Sequence, residues 1–134
     1  MSLDTRVVIV LVSHSAALAE GAAELAGQIS GGTVAIIPAG GTDDGRLGTS
    51  AAKVQQAVKL ADSGAGVVIL PDLGSAVLTV RALLGGAGDL PSPIELADAP
   101  FVEGVVAATV AAAGGGDITA VLAAAEEARY ARKL

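Results

Sequence analysis

The chain has 134 residues, with eight lysines and arginines against fourteen aspartates and glutamates and a formal net charge of −6. That balance gives no general attraction to nucleic acid or to an anionic membrane, and two aromatics, Phe101 and Tyr130, cannot build a base-stacking platform. There is no cysteine, hence no disulfide framework and no thiolate metal site; mean hydropathy is +0.66, but no apolar run nears the roughly 20 residues that span a bilayer.

Val7 to Val12 is an unbroken run of β-branched residues and leucine, the pattern of a strand buried on both faces in a parallel sheet. It ends at Ser13-His14-Ser15, where His14 is the only histidine. Ser15 suits the N-cap of a helix to about Ile29, which Gly31-Gly32 stops. Thr33 to Ile37 reads as a second strand closed by Pro38, followed by a glycine-rich loop through Gly48. Thr49 or Ser50 can cap the next helix, whose apolar residues Val54, Ala57, Val58 and Ala61 recur at helical spacing. Val67 to Leu70 is a third strand without alternation. Pro71-Asp72-Leu73-Gly74 then forms a turn, and Ser75 is placed to cap a helix from Ala76 to Leu84. Gly85 to Pro93 is loop, Ile94 to Ala97 a weaker fourth strand, and Val102 to Ala113 a helix broken by Gly114-Gly115-Gly116. Asp117 caps a final helix running to Arg132.

Strands alternating with helices predict an α/β fold, a small doubly wound parallel sheet of order 2-1-3-4 with right-handed crossovers and helices on both faces. The length suits a single domain over residues 1–134. Ligands of such sheets bind where the strand order reverses, outside the carboxyl ends of the strands. His14 follows strand 1 and Asp72 follows strand 3, so both enter one crevice, flanked by the loop after strand 2. The N-terminus of the first helix adds orphan N–H groups suited to an anion.

A lone histidine at a strand end is, on residue type alone, an ordinary surface or packing residue. A metal site needs more ligands than this chain's single histidine offers, and no G-x-S-x-G elbow supplies a hydrolase serine. What remains for His14 is nucleophilic attack on a phosphoryl group. Asp72 is available to hold the other ring nitrogen, and the Ser13, Ser15 or Ser75 hydroxyls to hold phosphoryl oxygens. Asp72 read alone is a turn residue. Gly40 to Gly45 has Walker-A spacing, but Arg46-Leu47 stands where Lys-Ser/Thr is required; Gly64-Ala65-Gly66 precedes a strand and is no dinucleotide fingerprint. Arg46 and Arg81 read as solvated, Arg46 being better placed for a partner. With net negative charge, docking is expected on an apolar patch around the crevice drawn from Leu47, Leu73 and Val77.

Several stretches together carry a resemblance: Val12-Ser13-His14-Ser15, Gly48-Thr49 with Lys53-Val54, Asp72-Leu73-Gly74-Ser75-Ala76, and Ala99-Pro100 with Val102-Glu103-Gly104. They resemble the phosphotransferase (DhaM) subunits of bacterial dihydroxyacetone kinase, which are similar to the mannose-type enzyme IIA domains of the sugar phosphotransferase system. The resemblance implies a cytoplasmic homodimer that takes a phosphoryl group from the phosphocarrier HPr. It passes the group to ADP on a DhaL subunit, while a DhaK subunit binds dihydroxyacetone. It implies His14 as the phosphorylated residue, Asp72 as its orienting partner, and Thr49 at the border of the site. The nucleotide belongs to the partner, with no cofactor or metal on this chain. Some family members carry fused HPr and enzyme I domains, for which this chain is too short. The loop from Gly41 to Gly48 varies in the family, so Arg46 inherits no role. A second reading, from a different class, is a non-enzymatic ligand-binding or regulatory module on a flavodoxin-like sheet, with His14 merely lining a pocket.

Overall fold

The computed structural model describes residues 5–86 and 88–134, so Ala87, inside the Gly85–Pro93 loop, lies outside the described residues. In chain order the elements are β1 (Val8–Ser13), α1 (Ala16–Ser30), β2 (Ile36–Gly40), α2 (Ala51–Leu60), β3 (Val67–Pro71), α3 (Gly74–Leu84), β4 (Ile94–Leu96), α4 (Phe101–Ala113) and α5 (Ile118–Glu127). A 3-10 turn, Ala128–Tyr130, follows. The four strands are parallel in the order β2-β1-β3-β4, as the sequence pattern predicts.

β1 explains why the layers form. All six of its residues are buried, so its two faces each need a hydrophobic cover. Val7, Ile9 and Leu11 point to one side, where Val68 and Leu70 of β3 join them against α1, α4 and α5. Val8, Val10 and Val12 point to the other, where Val67 and Ile69 meet Val54 and Val58 of α2 and Ala76 and Val80 of α3. Each fully buried Val, Ile or Leu contributes about 1.5–3 kcal/mol relative to exposure, so the sheet's core side chains fix both layers at once. α1 lies on one face and α2 and α3 on the other, which makes β1/β3 the point of topological reversal.

Local caps match the sequence at three helices: Ser15 accepts from Leu18 N–H, Ser50 (and not Thr49) from Lys53 N–H, and Asp117 from Ala120 N–H. Gly31, at φ 65°, closes α1 in the left-handed conformation.

Three boundaries differ from the sequence pattern, each for a physical reason. β2 is not Thr33–Ile37 closed by Pro38; it runs from Ile36 through Pro38, which pairs in register with Leu11. β2 is an edge strand, where a missing N–H costs no ladder bond. The last helix ends at Glu127 instead of Arg132, tightening into the 3-10 turn. Ser75 does not cap α3; Leu73 occupies that position with no side-chain hydrogen bond, and Ser75 lies inside the first turn.

Candidate active site

The site is built where β1 and β3 end side by side. Ser13 is fully buried, and its Oγ donates to Asp72 Oδ2 at 2.7 Å while accepting from Ser15 N–H at 3.0 Å. The His14 N–H also points at the Asp72 carboxylate, 3.2 Å from Oδ2 and 3.3 Å from Oδ1, and Leu73 N–H donates to Oδ1 at 2.6 Å. Asp72 therefore gathers two main-chain N–H groups and a hydroxyl into one clamp joining the ends of β1 and β3. This corrects the expectation that Asp72 holds the His14 ring: its carboxylate is committed to the main chain and to Ser13.

The ring has a different partner. His14 Nδ1 lies 3.3 Å from Ser75 Oγ, and Ser75 Oγ lies 3.0 Å from Thr49 Oγ1. A chain of two hydroxyls thus runs from the imidazole to the start of α2. Sequence reasoning placed Ser75 as a cap and as a candidate holder of phosphoryl oxygens, and Thr49 as an alternative cap of α2 and, through the family resemblance, at the border of the site. Residues 26 apart in sequence, such as Thr49 and Ser75, meet through strand order alone, which no local spacing reveals. Among the described residues, Nε2 of His14 makes no hydrogen bond.

The loop after β2 is fastened to the same place. Gly41 N–H donates to Ser13 O at 3.2 Å and Gly48 N–H to His14 O at 2.8 Å, so both carbonyls at the end of β1 are held by this loop. Gly48 has φ 143°, which a side chain would strain. Gly40 needs its hydrogen for another reason: a Cβ there would sit 2.5 Å from Ser15 O, at the approach of β2 to the start of α1. Within the loop, Thr42 Oγ1 hydrogen-bonds Asp44, and Arg46 pairs with Asp44 at 2.8 Å. The Thr42 hydroxyl and the Arg46 guanidinium hold the Asp44 carboxyl below the usual carboxylate range. Arg46 has therefore found a partner in its own loop, and its side chain is 80% exposed.

Ser15 turns its Oγ to Leu18 N–H at 3.2 Å, which leaves the serine at the start of α1 beside His14. α3 opens beside the ring, through Ser75 in its first turn, and has no side-chain cap. A cleft of about 440 Å³ continues from Asp72, Leu73 and Gly74 along Val77 and Arg81 to Asp98. Among the described residues no group of three or more His, Asp or Glu side chains is placed to hold a metal, and no helix is long and apolar enough to cross a membrane.

The model of the family "EIIA-man: PTS system fructose IIA component" matches residues 8–122. The chain is 39% identical over 129 residues to the Escherichia coli (strain K12) protein called PEP-dependent dihydroxyacetone kinase, phosphoryl donor subunit DhaM. That match covers 93% of this chain and 27% of the relative, and the DhaM of Providencia stuartii matches at 38% with the same coverage. The chain thus spans about a quarter of the length of these two relatives. A Listeria innocua DhaM, of PEP-dependent dihydroxyacetone kinase 2, is 40% identical over 103 residues, covering 76% of this chain and 82% of the relative. The crystal structure of EF1359, a protein of unknown function, superposes with a TM-score of 0.78 at 38% identity, covering 90% of this chain and 93% of that one. The chain belongs to the EIIA-man family, as a DhaM-like subunit of the phosphotransferase system.

Proposed function

We propose that this protein is a histidine phosphocarrier that receives a phosphoryl group on Nε2 of His14 and hands it on. The observation that carries the reading is the state of the ring. Nδ1 is engaged by Ser75 Oγ while Nε2 has no partner among the described residues, at the open end of the switch crevice. With the proton on Nδ1, donated to Ser75 Oγ, and the Ser75 hydroxyl donating to Thr49, the lone pair sits on Nε2, the outward nitrogen. In the loading step the donor's P–N bond breaks and the P–Nε2 bond forms. Nδ1 keeps its proton, so the ring carries positive charge beside the phosphoryl oxygens. In unloading the P–Nε2 bond breaks, its electron pair returns to the ring, and an acceptor oxygen takes the phosphorus. The N–H groups that open α3 and the hydroxyls of Ser15 and Thr49 are the candidate holders of the phosphoryl oxygens. Ser13 acts indirectly in this scheme, because its buried Oγ is already shared between Asp72 and Ser15.

The relatives named as phosphoryl donor subunits of PEP-dependent dihydroxyacetone kinase support the finer reading. In it, an HPr-like carrier charges His14 and a DhaL-like subunit holds the ADP that discharges it. A DhaK-like subunit binds dihydroxyacetone, and this chain works as a homodimer in the cytoplasm. The test is loading: with enzyme I, HPr and phosphoenolpyruvate, the protein takes up one acid-labile, alkali-stable phosphoryl group per chain. No uptake overturns the reading.

Two further outcomes are expected. Titration calorimetry of the protein alone with ADP or ATP, with and without magnesium, shows no heat of binding, because no Walker-A lysine or magnesium-binding hydroxyl is present in the Gly40–Gly45 stretch; a micromolar constant would identify a kinase in its own right. Replacing Ser75 by Ala removes the hydrogen bond of the ring to Ser75 Oγ and slows loading about tenfold or more, with Thr recovering most of the rate, because loss of ring orientation alone costs rate at that scale. An unchanged Ser75→Ala rate would leave the ring held by packing.

A further inference from the structure

The first turn of α2 is tied to the end of β2 and to the loop that leaves it. Ser50, the N-cap, donates from Oγ to Asp43 Oδ1 at 2.6 Å, and Lys53 sends its Nζ to the carbonyl of Gly40 at 3.1 Å. Thr49, the far end of the hydroxyl chain from His14, immediately precedes this turn and forms an isolated parallel bridge with Gly41. A single bridge leaves the start of α2 free to pivot; the Lys53 bond, one helical turn on, removes that freedom. Gly41 N–H in turn holds Ser13 O. The contacts close a circuit that runs from His14 through Ser75, Thr49, Lys53, Gly40, Gly41 and Ser13 back to His14.

Two ordinary reasons for a lysine do not account for this one. A cation placed for charge balance meets a carboxylate. Glu20 of α1 lines the same cavity of about 240 Å³, yet Lys53 makes no ion pair among the described residues and takes the carbonyl. A lysine that guards a sheet edge blocks the addition of a further strand. Ile9 N–H bonds Ala35 O and Gly41 N–H bonds Ser13 O, so Ile36, Pro38 and Gly40 turn their main chain outward. Pro38, in mid-strand, already lacks the N–H that an added strand needs. Gly40 is instead the last residue of β2, where the strand meets the start of α1 with no room for a Cβ.

We infer that Lys53 is a positioning residue for phosphoryl loading: by holding Gly40 O it fixes the first turn of α2 so that Thr49 takes the Ser75 proton. The inference rests on the phosphocarrier reading and adds to it what sets the direction of the hydroxyl chain. Ser75 has one hydroxyl proton to give. Given to Thr49 Oγ1, it leaves a Ser75 lone pair for Nδ1–H, and Nε2 keeps the lone pair that attacks phosphorus. When Thr49 drifts away, Ser75 turns its proton to Nδ1. The ring's own proton, exchanged through water, then settles on Nε2 and blocks the nucleophile.

The test reads the ring and the rate on the same samples. His14 is the only histidine, so its two ring nitrogens give one unambiguous pair of 15N signals. With the ring neutral, wild type shows Nδ1 protonated and Nε2 bare. Lys53→Met keeps the apolar stem and removes the ammonium, and both signals move toward the averaged values of mixed tautomers. Loading from phosphoramidate, a small donor that needs no protein surface, slows about tenfold, the scale for a displacement of a fraction of an ångström. Lys53→Gln, whose shorter side chain falls short of Gly40 O, gives the same pair of changes. Lys53→Arg, which keeps a donor of similar reach, restores both. Lys59→Met, exposed in the last turn of α2, changes neither. Wild-type signals and rate in Lys53→Met and Lys53→Gln overturn the inference, with or without a loss of thermal stability. Slower loading with unmoved ring signals overturns it as well. Wild-type protein that phosphoramidate fails to load removes the carrier reading itself, and the inference with it.

Discussion

Replacing His14 by Ala abolishes phosphoryl uptake from enzyme I, HPr and phosphoenolpyruvate, and leaves the thermal unfolding transition close to wild type. The first half follows from chemistry: the chain has one histidine, and no cysteine stands in as an alternative nucleophile. The second half follows from placement. The ring is half-buried at a strand end and makes one 3.3 Å hydrogen bond, so its loss costs under about 1 kcal/mol. The main-chain N–H of residue 14, which Asp72 holds, survives the substitution. Acid-labile label on the His14→Ala protein would assign the phosphoryl group elsewhere. Loss of label together with loss of folding would make His14 structural; circular dichroism on the same sample separates the two.

Much of this site was legible because its geometry follows from strand order. The uninterrupted runs Val7–Val12 and Val67–Leu70 name the two central strands, and their ends bring His14 and Asp72 together. Helix caps at Ser15, Ser50 and Asp117 were readable from residue type, since those side chains bond within three residues. What failed to show is what depends on distant partners. Ser75 looked like a cap because a serine before a helix usually is one, yet a long-range partner, the His14 ring, takes its hydroxyl. Pro38 looked like a strand end because proline breaks ladders, a rule that lapses at an edge. The attachment of Gly41 and Gly48 to the carbonyls of Ser13 and His14 is main-chain bonding, and only the glycines hint at it.

The clamp makes a sharper prediction for Asp72 than a ring-orienting carboxylate would. Asp72→Ala leaves the fully buried Ser13 hydroxyl without its acceptor and frees two N–H groups that had a charged partner. Stability should fall by about 3 kcal/mol, the scale for losing charge-assisted hydrogen bonds and stranding a buried polar group. Phosphoryl loading should slow about a hundredfold, because the main chain of His14 is no longer fixed and a displacement near 1 Å costs that much. A carboxylate acting on the ring itself would give a different pattern: stability nearly unchanged, and rate losses near ten-thousandfold for Ala and Asn alike, through the wrong tautomer. Asp72→Asn discriminates further. Its one oxygen can still accept from Leu73 N–H, while its amide nitrogen faces the His14 N–H, so Asn should fall between wild type and Ala in both stability and rate. Denaturant unfolding and single-turnover loading on the same three proteins read both quantities. Parallel losses in stability and rate, graded wild type, Asn, Ala, are the signature of the clamp; a large rate loss at constant stability would return Asp72 to the imidazole.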